Sequence, residues 1–173
     1  SAASSSGSGV ATAPGLCYGS LGSDTGGSIR FPSAANGVTG LKPTWGRVSR
    51  YGVFELAATL DHIGPMTRSA ADAGAMMGVI AGLDPDDPTT VPDAVPNYLA
   101  GLDRGIKGLR IGVDASYNSQ GVDKVMVKTV KDALAVLKDL GADIREVSFP
   151  DCDTVVREWF AHCAVETAVA HEA

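Results

Sequence analysis

LRIGVDASYNSQGVDKVMVKTVKDALAVLKDLGADIREVS, residues 109–148, sets the fold class. Residues 109–113 form a short apolar run that predicts a strand. From 123 to 140, Met126, Val130, Leu134 and Leu137 recur at helical spacing, and Gly141 follows as a C-cap. Residues 144–148 then predict a second strand. Strand, helix and strand in this order make a βαβ unit, whose right-handed crossover leaves the two strands parallel or near neighbours under the helix. The chain is therefore expected to be α/β.

Outward from that unit, residues 153–171 predict a helix burying Val155, Val156, Trp159, Phe160 and Cys163. Residues 84–96 (DPDDPTTVPDAVP) hold four of the nine prolines, too many for a helix or a central strand, and predict an exposed connection. Residues 69–81 predict a helix: Ser69 followed by Asp72 is a capping pattern, and Ala73, Met76, Met77 and Ile80 form its apolar stripe. The first 44 residues are dominated by small side chains, with short apolar runs at 16–21 and 38–41 that predict buried strands leading into loops.

Composition narrows the function. Fourteen basic against 20 acidic residues give a formal charge of −6, which excludes binding of polyanions by bulk charge. With 45% hydrophobic and 20% charged residues, the chain is too apolar for disorder, and it lacks an uncharged apolar run of membrane-spanning length. Cys17, Cys152 and Cys163 form no CxxC pair, which argues against a disulfide framework or a zinc site and fits a reducing cytoplasm. The first residues show no secretory pattern and resemble a cut edge, so the expectation is a piece of a longer protein.

The chemistry concentrates in LGSDTGGSIRFP, residues 21–32. Consecutive glycines allow successive backbone N–H groups to converge on one point, where an anion or a developing oxyanion can sit. The hydroxyl of Ser28, immediately after Gly26 and Gly27, would stand beside those donors, as acyl transfer requires. A phosphate-binding or merely tight turn is the alternative. Asp24-Thr25-Gly26 matches the D-T-G of aspartic proteases, but those sites need two such loops and only a homodimer would supply the second. Neither Ser20 nor Ser28 lies in a G-x-S-x-G frame, and there is no G-x-x-x-x-G-K or H-E-x-x-H. His62, His162 and His171 read as ordinary surface or core histidines.

Three ordered segments resemble the amidase signature family: Ser4-Ser5-Ser6-Gly7-Ser8-Gly9, the block 22–30, and the GLKPTWGR run 40–47. The similarity continues through VSRYG (48–52), LDHIGPMTR (60–68) and DPDDP (84–88), and so covers most of the chain. The resemblance implies one partial domain spanning 1–173, with a catalytic signature region at 1–68 and helices plus the βαβ unit at 69–173. Its fold would be a mixed β-sheet core covered by helices on both faces, present as a partial copy. It implies a Ser-cisSer-Lys hydrolase of carboxamides that needs neither metal nor organic cofactor.

By the same resemblance Ser28 is the nucleophile. Ser4, 28 − 4 = 24 positions upstream, is the bridging serine. The amides of Thr25, Gly26, Gly27 and Ser28 form the oxyanion hole, and Asp24 and Arg30 brace the loop. Ala2-Ala3 stand where family members often carry glycine before the cis-serine turn. The lysine is expected ahead of Ser4, outside this chain; Lys42 matches a family position outside the triad and reads as structural. Expected partners are a small amide substrate and, in one variant, a second copy of the chain, with no nucleic acid and no membrane. The expected activity is that of a free amidase. The alternatives are the glutaminase A subunit of a tRNA-dependent amidotransferase, where Gln is expected in place of Phe31, and a non-catalytic binding homologue.

Overall fold

The computed structural model describes residues 4–172, which divide into two units, 4–100 with 157–172, and Gly101–Val156. At the centre of the first unit lies a three-stranded antiparallel sheet of β1 (Gly19–Asp24), β2 (Thr39–Gly40) and β3 (His62–Thr67), in the order β1-β3-β2. Helix α1 (Ser6–Thr12) packs on β1 and on α2 (Arg30–Asn36), while α3 (Ala70–Ile80) packs on β3.

Ile63, Gly64, Pro65, Met66 and Thr67 of β3 are all buried, so both faces of the central strand are covered. A proline in a central strand is unusual because it removes a ladder donor; Pro65 keeps its acceptor in use, taking the Leu41 N–H at 3.0 Å. Gly22 and Gly64 face each other across β1 and β3. The fully buried Ile29 side chain fills the space beside this pair: a Cβ at either glycine would lie 3.1 Å from it. At Gly22 it would also come within 2.8 Å of the Met66 sulfur and 2.9 Å of the Ser5 hydroxyl. These glycines set how closely the residue following Ser28 can approach the sheet.

Several expected elements form with adjusted ends. The run 16–21 gives β1 only from Gly19, leaving Leu16 and Tyr18 exposed, because the strand continues through Gly22, Ser23 and Asp24. The run 38–41 gives only the two residues of β2. Helix α3 starts as its capping pattern predicts, with the Ser69 hydroxyl accepting the Asp72 N–H at 3.1 Å. Its Ala73 and Met77 are buried, and Met77 joins Val48 and Ile63 in an apolar cluster edged by Leu41, Ile80 and Tyr98. The Pro-rich connection is mostly exposed; Arg47 holds it by donating to the Tyr98 hydroxyl and to the Asp93 and Ala94 carbonyls.

In the second unit β4 (Arg110–Val113) and β5 (Asp143–Glu146) pair in parallel, and α4 (Lys124–Asp139) lies between them in sequence, as the βαβ reading expects. Asp123 caps α4 through the Val125 N–H at 2.8 Å, and Gly141 just beyond its end has φ +95°. The burial expectations need correction. Met126 and Val130 of α4 are exposed, and Leu134 and Leu137 are half-buried. In α5 (Asp153–His171), Val155, Val156 and Phe160 are 65%, 51% and 63% exposed, and only Trp159 and Cys163 are half-buried. Periodicity fixes which side chains share a helix face but not whether anything packs against that face.

Candidate active site

Residues 25–28 form an arch whose two ends are fastened by one carboxylate. Asp24, 1% exposed at the end of β1, accepts the N–H of Ile29 at 3.1 Å and of Arg30 at 3.3 Å. Arg30 adds a two-pronged ion pair, Nε to Oδ2 at 3.0 Å and Nη2 to Oδ1 at 2.9 Å. Burial, the largest single influence, pushes the Asp24 carboxyl pKa up, but these hydrogen bonds and the Arg30 charge outweigh it and hold the group below the usual carboxylate range. Asp24 and Arg30 thus tie the end of β1 to the first residues beyond the arch.

Within the arch Gly27 has φ +138°, a conformation that disfavours any side chain, and its carbonyl accepts the Phe31 N–H at 2.8 Å to open the turn into α2. Among the described residues none of the N–H groups of 25–28 donates to a backbone carbonyl. Ser28 is half-buried and lines a pocket of about 310 Å³ together with Thr25, Gly26, Gly27, Phe31, Leu56 and Trp159. The Ser28 hydroxyl, the backbone of the arch and an apolar wall of Phe31, Leu56 and Trp159 therefore share one small space.

Three residues that the motif reading did not place in the site hold the arch or the strand leading into it. The Trp159 indole lies against Gly26, where a Cβ would overlap its ring, and its Nε1–H donates to the Thr25 carbonyl at 3.3 Å. Asp61, 6% exposed, accepts the Thr25 hydroxyl and also the N–H groups of Leu56 at 2.8 Å and Ala57 at 3.0 Å. Ser5, buried beside β1, donates to the Ser23 carbonyl and accepts the Ser23 N–H, both at 3.1 Å, and so fastens the Ser/Gly segment to the strand leading into the arch. Only the resemblance across 60–68 hinted at Asp61; Trp159 sits more than a hundred positions downstream, where its stripe read as core.

The remaining candidates separate. Ser4 is exposed, and among the described residues no hydrogen bond joins its hydroxyl to Ser28; Ala2-Ala3 lie outside the described residues. Lys42 donates to the Pro43 carbonyl at 2.7 Å, and burial, then the Arg30 charge, lowers its pKa against the opposing pull of Asp24. His62 directs Nδ1 at the carbonyls of Leu60 (2.7 Å) and Asp24 (3.1 Å), so that nitrogen carries the proton and serves the β1–β3 edge. His162 bonds Thr59 and Glu166, each at 2.8 Å. No group of side chains among the described residues has metal-ligating geometry, and no helix there is long and apolar enough to cross a membrane.

Comparison with known proteins places this geometry in context. The family described as Amidase matches residues 1–173. The A subunit of the glutamyl-tRNA(Gln) amidotransferase of Geobacter sp. (strain M21) is 46% identical over 165 residues, 95% of this chain and 34% of the relative. The crystal structure of the corresponding A subunit of the Thermotoga maritima glutamyl-tRNA(Gln) amidotransferase superposes with a TM-score of 0.91 at 35% identity, covering 98% of this chain and 37% of that one. Native peptide amidase from Stenotrophomonas maltophilia superposes with a TM-score of 0.86 at 38% identity, covering 97% and 35%. The chain spans about a third of the length of the relatives it matches.

Proposed function

We propose, for a chain that belongs to the amidase family, that it carries the nucleophile and oxyanion hole of an enzyme hydrolysing carboxamide C–N bonds. The observation carrying this reading is the arch 25–28, clamped at both ends by Asp24, with Ser28 opening onto the same pocket. Ser28 Oγ attacks the amide carbon and forms an acyl-enzyme. Its proton passes through Ser4 to a lysine that the family resemblance puts ahead of position 4, and returns to the departing ammonia or amine. Water activated by the same relay then releases the carboxylic acid. The amides of Thr25, Gly26, Gly27 and Ser28 meet the negative charge at both tetrahedral stages, and losing one such donor costs about 3–4 kcal/mol of barrier.

Fluorophosphonate treatment of the intact protein followed by peptide mapping tests the assignment. The expected result is a single adduct on Ser28; an adduct on any other serine moves the site and ends the proposal.

A second reading is the glutaminase component of an amidotransferase, favoured by the 46% identity to such a component. Phe31 favours the free amidase: it occupies the position where Gln is expected in that subgroup, and it lines the Ser28 pocket while 61% exposed. Ammonia release from simple amides without added partner proteins supports the first reading. Release that requires glutamine and partners supports the second.

A further inference from the structure

We propose that Asp61 is a positioning residue that aims the oxyanion hole and ties it to the apolar wall of the pocket, an inference that rests on the amidase reading above. Thr25 belongs to the arch and Leu56 to the wall, and both line the Ser28 pocket. The two segments meet at the Asp61 carboxylate, which takes the Thr25 hydroxyl on Oδ1 and the Leu56 and Ala57 N–H groups on Oδ2. An ionised carboxylate is purely an acceptor, so it can serve three donors from two segments at once. The Asp61 N–H donates to the Ala57 carbonyl at 2.8 Å, closing the wall segment into a turn, and the next residue, His62, pairs with Asp24 in the sheet. The hub is thereby anchored to the strand edge from which the arch departs.

The consequence for the arch follows from peptide planarity. The Thr25 carbonyl and the Gly26 N–H belong to one trans peptide unit and point in opposite directions. Trp159 Nε1–H holds that carbonyl at 3.3 Å, and Asp61 holds the hydroxyl of the same residue. With the carbonyl and the side chain of Thr25 both fastened, the peptide unit that carries the Gly26 N–H cannot rotate without breaking one of these bonds. Asp61 and Trp159 thus act through Thr25 on a donor that touches the reacting oxygen.

The test uses the intact protein and the rate of Ser28 phosphonylation by a fluorophosphonate, whose phosphoryl oxygen occupies the oxyanion position. Thr25→Val and Asp61→Asn are each expected to lower the maximal rate constant roughly 10- to 100-fold, with the half-saturating reagent concentration moving less than about twofold. Thr25→Ser, which keeps the hydroxyl, restores the rate. The double variant falls no further than the slower single one, because both changes break the same link. Multiplying single effects, or unchanged rate constants in variants that merely melt earlier, overturn the proposal while leaving the Ser28 assignment standing. Absence of Ser28 labelling in the unsubstituted protein overturns both. Should Asp61→Asn fail to fold, the contrast between Thr25→Val and Thr25→Ser decides alone.

Discussion

The sheet unit and the unit Gly101–Val156 are organised in opposite ways. Around β1–β3 the close contacts are made by residues with little or no side chain: Gly22 and Gly64 admit Ile29, Gly26 admits the Trp159 ring, and Ser5 clamps Ser23. In Gly101–Val156 the α/β periodicity is regular, yet Ala142 is its only buried hydrophobic residue among those described, whereas Ile29, Val48, Ala57, Ile63, Met66, Ala73 and Met77 all lie in the sheet unit. Periodic sequence thus marks where elements form, and aperiodic, glycine-rich sequence marks where they are pressed together.

Paired substitutions sharpen this contrast. The largest effect is expected at Met66, fully buried in β3: Met66→Ala should cost about 2–5 kcal/mol in urea or thermal unfolding, through lost burial and the cavity left behind. A loss under about 1 kcal/mol would mean that the sheet unit is no better packed than the other.

Next comes Asp24→Asn, expected to cost about 1.5–3 kcal/mol at neutral pH by weakening charge-assisted bonds to Ile29 and Arg30. Because the folded-state pKa of Asp24 is lowered, its contribution is complete above the ordinary carboxylate range near ~4 and disappears as pH falls through the folded value. The stability gap between the two proteins should therefore narrow in acid; a gap independent of pH would show that the ion pair is not its source.

Smallest is Met126→Ala. The same chemical change on α4, where the side chain is 53% exposed, should stay within about 0.5 kcal/mol. A cost matching that of Met66→Ala would erase the distinction between the units.

Legibility followed the same division. The βαβ unit, the Ser69 cap of α3 and the full extent of α5 could be read because local rules act over a few residues. Helices α1 and α2 and strand β3 could not: α1 is a Ser/Gly tract with poor helix propensity, and β3 contains Pro65, which argues against a central strand. Both exist because tertiary contacts override local preference. In the site, Asp24, Gly27 and Ser28 were visible as a contiguous motif, while Asp61 and Trp159 reach the same loop from 36 and 134 positions away.

By itself, then, the sequence determined the chemistry available at residues 24–30, since adjacency along the chain is enough to put a hydroxyl after a pair of glycines. It also determined the α/β class, since side-chain periodicity is a property of the chain. Tertiary structure alone decided which distant groups hold the arch in place, and which of the periodic apolar faces find a partner. Both depend on distances between segments that no local pattern encodes: a carboxylate at 61 and an indole at 159 become part of the site only after the sheet and α5 bring them to Thr25.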